Sequence, residues 1–93
     1  MRFPLGNIVV SLNAATALAA FNVQLLEFLI RHGAGDSGLR PSSETEVDIR
    51  DGEYVWSVYP LGGFEMVVLE VSTTADRTST TVSVSTVAGD RVL

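Results

Sequence analysis

The hydrophobic and polar positions along the chain change period twice. Residues 6–12, Gly-Asn-Ile-Val-Val-Ser-Leu, place β-branched side chains in series and predict a short strand. Asn13 then offers an N-cap oxygen ahead of an alanine-rich stretch. Ala14, Leu18, Phe21, Leu25 and Phe28 advance by three or four, the stripe of a helix packed on a sheet. One long helix or two short ones satisfy that stripe, and a break near Phe21 and Asn22 is favoured. Asn22 would cap the second helix, whose buried side would be Leu25, Leu26, Leu29 and Ile30. Three glycines among residues 33–38 end it, because glycine supplies the left-handed residue that helix C-termini prefer. Residues 42–49 carry capping residues, charges and a Val47, Ile49 spacing that fit a brief helix or an extended segment equally.

The second half alternates. Asp51 and Gly52 signal a turn, residues 54–59 a strand, Leu61, Gly62 and Gly63 a second turn, and residues 64–71 the returning strand of a hairpin. By parity Tyr54, Trp56 and Val58 share one face, as do Val67, Leu69 and Val71, while Glu65 and Glu70 fall on opposite faces. Residues 80–85 alternate strictly, with Val82 and Val84 inward, which predicts an edge or half-solvated strand. Residues 87–93 carry no periodic signal. The expected fold is a single α+β domain over residues 1–93, a small antiparallel sheet of three to four strands with one or two helices on one face.

Composition narrows the function. Among 93 residues there is no cysteine and one histidine, which excludes disulfides, thiol nucleophiles and a multi-histidine metal site within one chain. Six arginines, with no lysine, are scattered singly against eleven carboxylates, giving a net charge of −5 and no clustered cations for nucleic acid. Mean hydropathy is +0.31 with 46% hydrophobic residues, a surplus that points to surface hidden in a partner protein or in a second copy of the chain, a homodimer. Residues 3–26 are uncharged, Arg2 precedes them, and Ala17-Leu18-Ala19 has signal-peptidase spacing. Pro4, Gly6, Asn7, Ser11, Asn13, Thr16 and Asn22 interrupt that run, so it reads as a strand and buried helices of a cytoplasmic protein rather than a leader or membrane span.

Candidate chemistry concentrates in one loop. His32, Asp36 and Ser37 invite a base, acid and nucleophile reading, yet helix termination is the simpler account, with Arg31 and a protonatable His32 favourable beside the terminal carbonyls. Asp36 would accept hydrogen bonds within its own turn or pair with an arginine from elsewhere, Arg77 being the attractive candidate. Gly33-x-Gly35-x-x-Gly38 matches a dinucleotide fingerprint only nominally, since it follows a helix instead of opening one; no cofactor is expected. Glu44, Glu46, Asp48, Asp51 and Glu53 lack calcium-loop spacing and read as a solvated face that would meet a basic partner. Trp56, with Tyr54, Tyr59 and Phe64, reads as core, hairpin packing or an interface patch.

Three segments together carry a resemblance: Phe3-Pro4-Leu5-Gly6, Arg31-His32-Gly33-Ala34-Gly35-Asp36-Ser37-Gly38, and Ala75-Asp76-Arg77-Thr78-Ser79-Thr80-Thr81-Val82. In order and spacing, over residues 3 to about 84, they resemble a family of small plasmid-related proteins encoded on bacterial plasmids and phages. Ser37 stands where that family usually has an aromatic residue, and the charged helical segment that follows the Gly-Asp motif in the relatives is expected to be missing. The resemblance implies a mobile-element setting and a small intracellular α+β domain, with no established reaction. Together with the missing catalytic inventory, it leads to the expectation of a non-enzymatic interaction protein binding a host or self protein, such as an inhibitor of a CRISPR or restriction complex. A hydrolase-like or ligand-binding protein using the His32 to Asp36 loop is the alternative, and a self-assembling structural domain is a third.

Overall fold

A computed structural model describes residues 1–63 and 66–86; the expectations for Phe64, Glu65 and residues 87–93 lie outside them. The elements run β1 (Asn7–Val10), α1 (Leu12–Ala20), α2 (Leu25–Gly33), α3 (Ser42–Arg50), β2 (Val55–Gly62), β3 (Val67–Thr73) and β4 (Ser79–Thr86). The class is α+β, and the sheet has four strands in the order β1-β4-β3-β2. The hairpin β2–β3 and its neighbour β4 are antiparallel as the turn signals require. Strand β1 joins in parallel, Asn7 opposite Ser79 through Val10 opposite Val82, so the sheet is mixed. For the same reason β4 is no edge over its first half, because β1 lies beside it.

All three helices end in the same way. Asn22, Gly35 and Gly52 each adopt a positive φ one residue past the cap. The next amide reaches back to the carbonyl five residues earlier: Val23 to Leu18, Asp36 to Arg31 and Glu53 to Asp48, at 3.1, 2.9 and 2.8 Å. This is the Schellman arrangement, which satisfies carbonyls that the helix leaves orphaned. Asn22 therefore closes α1 and does not open α2. The N-cap of α1 is Ser11, whose hydroxyl accepts from the Ala14 amide at 3.0 Å, and Asn13 lies inside the first turn.

The break turns the helix axis by 111° between α1 and α2. That turn resets which side of α2 faces the sheet. Phe28 and His32 are buried with Leu25 and Leu29 beside them, whereas Leu26 and Ile30, expected inside, stand in solvent. Ala14, Leu18 and Phe28 meet Tyr59, Leu69, Val71 and Val82 on the helix-facing side of the sheet. Residues 42–50, which propensity left undecided, form a predominantly acidic helix directly after the Gly-Asp loop. Among the described residues no single helix is long and apolar enough to cross a membrane.

The two sheet edges are treated differently. On β2, Val58 donates to the Ser37 carbonyl at 3.0 Å and accepts from the Leu39 amide at 2.8 Å, so residues 37–39 cover this edge. Gly38 makes the approach possible: its φ is +67°, and a Cβ there would stand 2.1 Å from the Val58 carbonyl oxygen. Gly38→Ala is expected to cost about 3 kcal/mol or more, adding a backbone clash to left-handed strain. Gly52→Ala, at a similar φ with open space around the new Cβ, should cost about 1 kcal/mol. Urea unfolding of the two variants measures the difference, and equal losses would contradict the docking role of Gly38.

Candidate functional site

His32 lies on the last turn of α2, four residues after Phe28 and on the same buried side. The sheet below it offers three hydroxyls on core-facing positions: Ser57 of β2, Thr73 of β3 and Thr80 of β4, all buried. His32 Nδ1 is 2.6 Å from Ser57 Oγ, and Nε2 is 2.8 Å from Thr73 Oγ1. Thr73 Oγ1 is in turn 2.6 Å from Thr80 Oγ1, which donates to the Leu5 carbonyl at 2.7 Å.

That last carbonyl fixes the direction of every proton in the file. It can only accept, so Thr80 spends its single hydroxyl proton there and must accept from Thr73. Thr73 has then given its proton away and must accept from His32, which places the imidazole hydrogen on Nε2. Nδ1 is left with a lone pair and accepts from Ser57. The imidazole is neutral in this arrangement, and burial pushes its pKa down to about 4, with the Arg77 cation adding to the shift.

The N-terminal segment seals the file from above. Arg2 donates its amide to the Gly33 carbonyl at 2.7 Å, and its guanidinium pairs with Glu46 of α3. Phe3 sets its ring edge-on to His32 with 5.3 Å between centroids, and the Arg77 guanidinium lies 5.1 Å from the Phe3 ring centre. The expectation that His32 interacts with the helix C-terminal carbonyls is therefore corrected: both ring nitrogens turn inward to Ser57 and Thr73.

The other residues singled out from sequence scatter from this point. Asp36 pairs with Arg31 at 2.8 Å and accepts the Gly38 amide at 3.1 Å, while its own carbonyl accepts from the Tyr59 hydroxyl. The Arg31 guanidinium holds the Asp36 carboxyl below the usual range and lies 4.5 Å over the Tyr59 ring. Arg77, expected opposite Asp36, instead donates to the carbonyls of Glu53 and Thr74. Ser37 donates to the Arg40 carbonyl at 3.2 Å and does not meet His32.

The carboxylates of α3 are largely taken. Arg40 sits 3.0 Å from Glu44 and 3.6 Å from Asp48, Arg2 takes Glu46, and Arg50 takes Asp51. Three arginines stand against the five carboxylates Glu44, Glu46, Asp48, Asp51 and Glu53, so the face keeps a net negative charge with most of its carboxylates paired within the chain. Trp56 occupies the sheet face opposite α1 and α2: Arg40 stacks 5.0 Å from its ring centre, and its indole N–H donates to Glu70 at 3.2 Å. Glu70 also accepts from Ser85 at 2.8 Å. No group of three or more histidine and carboxylate side chains among the described residues is placed to hold a metal ion.

Sequence reasoning passed over Ser57, Thr73 and Thr80. Their parity was the available signal, since Thr80 shares a face with Val82 and Val84, and Thr73 with Leu69 and Val71. A hydroxyl on a core-facing position needs a partner, and a lone histidine on an apolar helix face needs one too.

The His32 file predicts a pH dependence with a definite sign. Its folded pKa of about 4 lies below the unfolded value of 6.5, so between these the unfolded chain binds the additional proton. Stability is full above pH 6.5 and falls by about 3 kcal/mol as pH drops to 4. Urea unfolding at a series of pH values checks the loss, and imidazole ¹⁵N resonances should show a protonated Nε2 and bare Nδ1 unchanged from pH 7.5 to 5. The opposite tautomer would overturn the assigned direction.

No protein-family model matches the chain, no curated protein matches it, and no solved structure matches it.

Proposed function

We propose that this chain is a non-enzymatic protein-interaction domain of a mobile genetic element, acting by binding a protein of its host, with a defence complex of the CRISPR or restriction type as the target class. The mobile-element setting comes from the resemblance in residues 3–84. The interaction reading rests on one observation about α2. Leu26 and Ile30, one turn apart, are 65% and 57% exposed on a helix whose opposite side is already committed to the core. Two large aliphatic side chains in one exposed stripe contribute nothing to this fold and suit a helix laid in a partner's apolar groove.

The use made of the polar residues agrees with this. His32 has both ring nitrogens engaged inside the domain, and Asp36 is engaged by Arg31 and the Gly38 amide. Hydrolysis by the His32 to Asp36 loop would need those two side chains to act on each other, and each is bonded to other partners, which favours the interaction reading. The acidic helix α3 is a weaker candidate surface, because charge reversal at Glu44, Glu46 or Asp48 would break pairs with Arg2 and Arg40 before it altered any partner.

Expression in a bacterium carrying an active CRISPR or restriction system is expected to raise the plating efficiency of a targeted phage by about tenfold or more, with the chain recovered bound to a component of that system. Leu26→Glu combined with Ile30→Glu should abolish both effects with circular dichroism unchanged, since burying a carboxylate at an interface is costly. Full protection by the double variant would remove the α2 surface from the account.

A further inference from the structure

The exposed edge of β1 carries a separate inference. Asn7 donates its amide to the Thr78 carbonyl at 2.9 Å and Ser11 donates to that of Val82 at 3.0 Å. Both therefore point toward β4, and by the alternation of a strand Ile8 and Val10 point their N–H and C=O groups outward. Among the described residues no strand pairs with that side. The side chains around it are apolar and open, with Ile8 39%, Val9 51% and Leu12 81% exposed.

The opposite edge shows what protection looks like in this molecule. On β2 the outward groups of Val58 are covered by residues 37–39, the Trp56 carbonyl accepts from Arg40 at 2.8 Å, and Pro60, at the next outward position, has no amide to offer. Strand β1 has no charge, proline or bulge, and no loop covers it among the described residues.

Charge selects the occupant. The chain carries −5 overall, so two copies repel through most of their surface, yet residues 3–26 contain no charged side chain at all. At 24 residues, 3–26 is the longest uncharged stretch of the chain, and it includes this edge. We infer that β1 is a homodimer interface, pairing antiparallel with β1 of a second copy to join two four-stranded sheets into one of eight. The outward groups fix the register: Ile8 and Val10 exchange hydrogen bonds with Val10 and Ile8 of the second copy, and Val9 faces its own symmetry mate on the twofold axis as a close non-hydrogen-bonded pair. Val–Val contacts of this kind are favourable cross-strand pairs. The inference is independent of the α2 surface, which this pairing leaves uncovered by β1.

Light scattering coupled to size exclusion should give a mass of twice 9.9 kDa for the native chain at high micromolar concentration. Val9→Lys puts two cations face to face on the axis, tolerated in the monomer because Val9 is exposed, and should halve that mass with circular dichroism unchanged. Amide exchange at Ile8 and Val10 should be about tenfold slower or more at high than at low concentration, a difference absent in Val9→Lys. The double variant Leu26→Glu, Ile30→Glu should remain dimeric while losing the host partner, which separates this interface from the proposed function. A native chain monomeric at every concentration, a dimeric Val9→Lys, or a dimer dissolved by the α2 substitutions would each overturn the pairing.

Discussion

The file of hydrogen bonds from Ser57 through His32, Thr73 and Thr80 to the Leu5 carbonyl is the constraint on which the rest of the structure depends. It connects α2, three strands and the N-terminal segment, pieces separated by as many as 75 residues along the chain. Its members are buried beside valines and leucines, where an unpaired hydroxyl or imidazole costs about 1–3 kcal/mol. Each member has one proton and one required acceptor, so displacing any element orphans a group on both sides of the gap. Apolar packing tolerates small slips of register; a file with a single proton direction does not.

That requirement explains features that otherwise look unrelated. Helix α2 takes a rotation that leaves Leu26 and Ile30 outside, because Phe28 and His32 must face the sheet together. The N-terminal segment lies across the end of α2, with Phe3 against the imidazole and Arg2 reaching α3, because the file ends on a carbonyl of that segment. Continuing from Leu5, the chain passes Gly6, whose added Cβ would stand 2.3 Å from the Thr78 backbone, and enters the sheet beside β4. The parallel pairing of β1 follows from that approach.

The surface shows a corresponding division. At one end of the sheet the loop after α2, Arg40, Trp56 and α3 form a connected set of hydrogen bonds and ion pairs. Exposed pairs of this kind add little stability each, and their larger effect is to hold the loop over the β2 edge. At the other end β1 presents aliphatic side chains and backbone groups that no strand pairs with among the described residues. A small domain with about a third of its unfolded surface still exposed has limited means to hide apolar groups, so where they remain open bears directly on association.

The sequence by itself determined whatever depends on neighbours within a few residues. The β2–β3 hairpin, the break at Phe21 and Asn22 and the helix stop in the glycine loop follow from local period and from residues that accept a left-handed backbone. The alternation of residues 80–85 gave the right parity, although that parity also marked Thr80 as a core-facing hydroxyl. Tertiary structure alone decided the rest: the rotation of α2, the partner of Asp36, the parallel placement of β1 and the meeting of His32 with three hydroxyls. Arg31 is five residues from Asp36 and reached it first, while Arg77 was drawn to the carbonyls of Glu53 and Thr74 and to Phe3. Apart from the short-range Arg31–Asp36 pair, these outcomes turn on satisfying a buried or partly buried polar group with a partner distant in sequence. Local propensity carries no term for that pairing, which exists only once the sheet has brought the segments together.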